Sequence, residues 1–182
     1  MTPGRPRSFD REAAILVAME QFWRDGYEST TVARLTGAIG IAAPSLYAAF
    51  GDKDRLFQAA ADRYVEMIDR QFDVVLALPT FRESVAEMLR LSAESHTSDG
   101  SPPGCFLALE PRLADRRAVL RGRLADRAAQ GVVDGDVPAE RDPEQLAGFI
   151  MAVHSGMAAR ARDGGSTAEV SAIAEAALTA LP

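Results

Sequence analysis

The chain has one cysteine, one tryptophan, one lysine and two histidines in 182 residues. A single cysteine excludes an internal disulfide and a thiolate-rich zinc site. Neither His96 nor His154 follows a glutamate by three residues. The Glu-x-x-His pattern of di-iron bundles is therefore absent, and no metal or cofactor is expected. Aromatic residues make up only 7% of the chain, and no alternating run marks a β-strand. No apolar run approaches the roughly 18 residues that span a membrane. The opening MTPGRPRSF lacks the apolar core of a signal peptide. A cytoplasmic protein without a membrane partner is expected. There is no phosphate loop, nucleophile motif or His/Cys/Asp constellation, so catalysis is not expected either.

What the chain does have is alanine and helical periodicity, which favour an all-α fold of about nine helices. Asp10 is a good N-cap for a helix running to about Asp25, with Gly26 at its end. Ile15, Met19, Phe22 and Trp23 form its apolar face. Ser29 or Thr30 starts a second helix ending near Ala38, and Gly40 supplies a turn. A third helix spans Ala43 to Ala49, with Pro44 in its first turn, where a missing N–H costs nothing. Two short helices joined by a tight glycine turn are the layout of a helix-turn-helix that docks in the DNA major groove.

Charge distribution supports such a reader weakly. Net charge is −6. Residues 1–60 hold seven basic and seven acidic side chains, so all of the excess lies beyond them. An acidic body repels phosphate and helps confine docking to one face, but a neutral reader predicts modest affinity per subunit. Arg5 and Arg7, among prolines and a glycine, read either as a basic arm for DNA or as a frayed terminus.

Asp52 caps a long helix to about Leu78, stopped by Pro79. At about 25 residues it would be near 37 Å long, enough to link two domains. Further helices are expected over about Thr80 to Ser95, Cys105 to Ala114 and Asp115 to Gln130. Asp142 with Pro143 starts one reaching about Asp163. Ser166 and Glu169 form a capping-box pattern for the last. His96 to Gly104 and Gly131 to Arg141 read as loops. The expected division is residues 1–53, a DNA-binding domain, and 54–182, a helical domain for sensing and dimerisation.

The stretch FDREAAILVAMEQFWRDGYESTTV, the turn GAIGIA and then PSLYAAFGDKDRL resemble the TetR family of bacterial one-component regulators. The resemblance is specific over Phe9 to Leu56, and the general layout covers the whole chain. It implies a homodimer whose second and third helices read a near-palindromic operator. It also implies that helices 8 and 9 form the dimer interface and that a small-molecule effector, of unknown identity, controls binding. Tyr47 and Lys53 match family positions that grip the DNA backbone; Tyr47 can also serve the domain core.

Other roles follow from position. Thr31 offers a hydroxyl and a helix start to a phosphate. Ala43, Pro44, Ser45 and Ala48 lie on the face entering the groove. Pro44 and Ala48 suit a thymine methyl, and Ser45 suits a base edge or a phosphate. Arg34 stands where an acidic residue is frequent, and reads equally as a DNA contact or a solvated charge. Ala42 replaces a common Ser/Thr cap. Ala48 and Ala49 replace larger side chains, so direct base discrimination should be weak.

For sensing, PPGCF at 102–106 resembles an element of one large subgroup, and ARDGGS at 161–166 its helix 8 to helix 9 junction. Cys105, Phe106, Tyr64 and Ile68 are the ligand candidates. Cys105 reads as an electrophile-sensing thiol or as a small buried hydrophobe. Helices 6 and 7 look shortened, which puts the size of a pocket in doubt. In helix 8, Gly148, Ala152, Gly156 and Ala159 line one side. With Ile173, Ala177 and Leu181 of helix 9 they are the expected interface, while Leu146, Phe149, Ile150, Val153 and Met157 face the subunit core. The competing reading is a helical small-molecule-binding dimer with weak or lost operator binding.

Overall fold

The computed structural model describes residues 9–181. These form nine α-helices and one 3-10 turn, with no strand among the described residues. The chain divides into two compact units, residues 1–64 and 65–182. The boundary lies inside the long helix, later than the expected 53/54. Leu56, Phe57, Ala60, Ala61 and Tyr64 are all buried, so the first turns of that helix complete the first core.

The first unit contains α1 (Arg11–Ser29), α2 (Val32–Ile39), α3 (Ala43–Phe50) and the start of α4 (Lys53–Leu76). Asp10 caps α1 by accepting from the amides of Glu12 and Ala13. Gly26 breaks the helix at φ 76°, a conformation costly for any residue with a Cβ. The break lets Tyr27 turn inward. Phe57 is the hub of the core, edge-on to Phe22 at 5.2 Å and to Tyr27 at 5.0 Å. Trp23 packs edge-on to Tyr64 at 5.2 Å. Such pairs add to the burial of their rings.

The second unit holds the rest of α4 with α5 (Phe81–His96), α6 (Phe106–Leu109), the 3-10 turn (Pro111–Leu113), α7 (Ala114–Asp134), α8 (Pro143–Arg162) and α9 (Thr167–Thr179). Here α5 packs against both α8 and α9, and α7 lies along α8. Phe81, Val85, Leu89, Leu124, Ile150, Met157 and Val170 are the centre of this core. Arg123 of α7 ties the end of α4 to it, bonding Asp69 at 2.7 Å and also Asp73.

Helices 6 and 7 differ from expectation in opposite directions. α6 is a single turn, because Pro111 cannot continue it and Glu110 is pushed to extended backbone. α7 is full length and runs through Gly131 to Asp134, where Gly135 stops it in the left-handed region. Gly131 is needed there for closeness: a Cβ would lie 2.4 Å from Asp136 Oδ1 and 2.7 Å from Val137 Cγ2.

The capping box of α9 forms as its sequence predicts, and Arg160 adds a 2.7 Å ion pair to Glu169. The Ser166 backbone N–H, then Arg160 and the Ser166 hydroxyl, pull the Glu169 carboxyl down to about 2. Its folded value is depressed, so the cap's contribution is complete above the ordinary value of 4.5. That contribution is lost as pH falls toward 2. An NMR titration should give a Glu169 midpoint near 2, and Arg160→Ala should move it upward. An unmoved midpoint in the variant would remove Arg160 from the cap.

Candidate functional site

Between α2 and α3 the chain bends by 95°. Gly40 makes the turn, at φ 78° and ψ 32°, where a β-carbon would be strained. One apolar residue of each helix, Leu35 and Leu46, is fully buried and pins the pair to the core; Phe50 is nearly so. The opposite side of α3 is left free. Pro44, Ser45, Tyr47 and Ala48 are exposed and Ala43 is half-buried. Tyr47 is 49% exposed, on the same exposed side of α3 as Ser45. An exposed second helix of this kind, held at near right angles by a glycine turn, fits a major groove.

Three further residues frame that face. Thr31 caps α2, its Oγ1 accepting the amide of Arg34 at 3.2 Å. The exposed hydroxyl still has its own proton to donate. The Lys53 ammonium sits 3.9 Å from the centre of the Tyr27 ring, a cation–π contact. The Tyr27 hydroxyl in turn donates to Asp54 at 2.6 Å. Tyr27 is thus the support of the α4 N-terminus, a role no local pattern showed. Arg55 lies over Gly51, where an added Cβ would meet its Cδ and Nη1 at 3.0 Å; this exposed cation was also missed.

Arg34 is exposed and ion-paired. Its guanidinium bonds Asp25 of α1 at 2.8 Å, a pairing across 9 residues with no helical register to announce it. Ala42 makes no side-chain cap for α3, as expected. Arg5 and Arg7 lie outside the described residues. The stem of their segment is fixed, however: the Phe9 ring is 6.2 Å from that of Phe50, and Arg11 stacks on Phe50 at 5.0 Å.

The fold and this face agree with comparisons to known proteins. Residues 14–60 match the model of the bacterial regulatory proteins, tetR family. The HTH-type transcriptional repressor ComR of Escherichia coli K12 is 34% identical, covering 98% of this chain and 92% of the relative. The chain belongs to the TetR family. A second repressor of the same organism, BdcR, is 33% identical over 94% of this chain and 89% of its own. Among solved structures, a cysteine mutant of the TetR family regulator CifR, complexed with 26 bp double-strand operator DNA, superposes with a TM-score of 0.87. It is 40% identical, covering 98% of this chain and all of that one.

On the helix 8 face of this TetR-family regulator, Ala152 and Gly156 are exposed, and Gly148 and Ala159 half-buried. A Cβ at Gly148 or Gly156 would meet nothing within 4 Å. No close approach inside the subunit therefore accounts for these glycines. Two expected interface residues are corrected: Ala177 and Leu181, each 7% exposed, belong to the second unit's own core. Ile173 is partly buried against that core. Conversely Phe149, expected inside, is 41% exposed, since it falls one position off the buried Leu146–Ile150–Met157 line.

The ligand candidates separate. Tyr64 is a core ring of the first unit, and Ile68 is half-buried in the second. Phe106 and Cys105 are buried. A concavity of about 320 Å³ lies between α7 and α8, lined by Ala114, Arg117, Ala118, Arg121, Met151, Ala152 and Ser155. It does not include Cys105.

Cys105 has different company. Its Sγ accepts the Ala108 amide at 3.4 Å. Gly104, at φ 84°, turns the chain so closely onto α8 that a Cβ would be 2.7 Å from the Ala158 carbonyl oxygen. The Gly104 amide also bonds the His96 carbonyl at 2.8 Å, closing the loop after α5. These two constraints bring Cys105 beside His96 of α5 and His154 of α8. One ligand atom from each lies within 4.8 Å of the others, and the imidazoles meet edge-to-face at 5.0 Å. Neither buried Nδ1 has a hydrogen-bond partner among the described residues. Burial, and then the neighbouring imidazole, push His96 down to about 3; burial pushes His154 down to about 4. Both rings are therefore neutral at physiological pH.

Proposed function

We propose that this regulator is a ligand-responsive repressor that binds a near-palindromic operator as a homodimer and leaves it when a small-molecule effector occupies the second unit. The observation that carries the reading is the exposed Pro44–Ser45–Tyr47–Ala48 face of α3, held at 95° to α2 by Gly40. The related ComR and BdcR are repressors, and CifR binds operator DNA. Tyr47, Lys53 and Thr31 hold the backbone, whereas Ser45, Pro44, Ala43 and Ala48 meet base edges. A two-fold operator requires a symmetric pair, joined through the small-residue side of α8. The effector acts by favouring a spacing of the two readers that no longer matches the operator.

A second reading, a helical dimer with weak operator binding, is favoured by one feature: the exposed α3 face offers only Ser45 and Tyr47 as hydrogen-bonding side chains. Titrations of DNA flanking the gene, and of scrambled DNA, over a range of salt separate the two. The repressor reading requires a clear preference for the flanking DNA; equal binding to both would favour the second reading.

The phosphate assignments are tested in the same assay. Tyr47→Phe with Lys53→Ala should weaken binding to every sequence. It should also lower the salt slope by about 1.8 for a dimer, at roughly 0.9 per lost cation. A changed sequence preference with an unchanged slope would show that these residues read bases instead.

A further inference from the structure

We propose that His96, Cys105 and His154 form a binding site for a thiophilic d¹⁰ metal cation, Zn(II) or Cu(I), held by one thiolate and two imidazoles. Taking this cation as the effector rests on the repressor reading; the site itself does not.

Two observations converge. The donor atoms come from α5, from the segment before α6 and from α8, yet lie within 4.8 Å of one another. A trigonal or tetrahedral centre with bonds of about 2.0–2.3 Å sets its donors roughly 3.5–4 Å apart. His96 is 3% exposed, and both imidazoles bring a buried Nδ1 that no described group satisfies. Buried polar atoms without partners are uncommon and call for an occupant.

The donor types choose the class of ion. One sulfur and two nitrogens suit Zn(II) or Cu(I), whereas Mg(II) and Ca(II) require oxygen. A d¹⁰ ion imposes no geometry of its own, so it tolerates three donors set by packing. Binding replaces the S–H bond of Cys105 by a sulfur–metal bond and releases that one proton. Each imidazole binds through the lone pair of its neutral form. With one donor on each of α5 and α8 and the third at the turn onto α6, the ion would fasten three elements of the second unit together.

The test uses the untagged full-length protein, since an affinity tag of histidines would itself bind metal. Zn(II) and Cu(I) are each titrated against a chromophoric chelator. Co(II) serves as a spectroscopic stand-in for Zn(II). The expected result is one ion of at least one of the two metals per chain, with a sulfur-to-cobalt charge-transfer band. Cys105→Ser should abolish the band. Cys105→Ser and His154→Asn should each weaken binding by more than the roughly 10–100-fold that loss of a supporting group costs. Circular dichroism checks that the variants fold. For a variant that does not, the wild-type band and a metal-dependent rise in its melting temperature decide.

Failure of both metals to compete with the chelator would overturn the site, as would stoichiometric binding that survives Cys105→Ser. Operator binding is measured in parallel, with metal and with chelator. Operator binding that stoichiometric metal leaves unchanged would overturn the effector role. DNA binding absent under both conditions would sink the repressor reading and leave the metal site standing.

Discussion

Replacing Gly156 with leucine should yield a monomer, or a weakly associating dimer, that no longer holds its operator although its reader is intact. Gly156 lies on the exposed side of α8 with Ala152, and an added Cβ there meets nothing in its own subunit. Glycine inside a helix costs about 1 kcal/mol relative to alanine. Gly148 and Gly156 both sit inside α8, and the isolated subunit gives no packing reason for either. A second helix approaching closely supplies one, and a leucine would hold it away. Linking two readers is worth roughly 10²–10⁴ in avidity, so operator affinity should fall by that order. Sedimentation gives the oligomeric state. The single tryptophan, Trp23, lies in the first unit, and its unchanged fluorescence would show that the reader is still folded. A variant that sediments as an unaltered dimer and still binds its operator would remove α8 from the interface.

Phe57→Ala should produce the opposite pattern: a dimer without a reader. Phe57 is fully buried and touches both Phe22 and Tyr27 edge-on. Truncating such a ring costs about 3–5 kcal/mol. The first unit has only 64 residues, and units of that size are marginal, so the loss is comparable to its whole stability. Trp23 is 8% exposed when folded, and its emission should move to the wavelength of a solvated indole. DNA binding should vanish. The core of the second unit contains none of these rings, so sedimentation should still report a dimer and much helical signal should remain. If Trp23 stayed buried and DNA binding persisted, Phe57 would not be the hub of the first core.

The two outcomes together separate reading from pairing. One variant loses DNA through geometry with the reader folded. The other loses it through unfolding with the pairing surface in place. Neither substitution touches the proposed metal donors, so metal stoichiometry should be unaffected in both.

Local chemistry was legible from the sequence alone because it acts over a few residues. Asp10, Asp142 and Ser166 cap helices in the structure by accepting from amides two or three positions on. Gly40 turns the chain between α2 and α3 for want of a β-carbon, and Pro44 sits where no amide is needed. Periodicity gave the helices, and the run from Phe9 to Leu56 gave the family. What joins distant residues was decided by tertiary packing. Lys53 rests on Tyr27, and Arg34 turns to Asp25, because folding α1 back over α2 and α4 brings those partners close. Ala177 and Leu181 went inside and Phe149 outside, since which side of an apolar helix faces its neighbours depends on where those neighbours lie. His96, Cys105 and His154 share no motif. They meet because Gly104 alone lets the chain press against the Ala158 carbonyl, and no spacing along a single helix encodes a contact made between three separate segments.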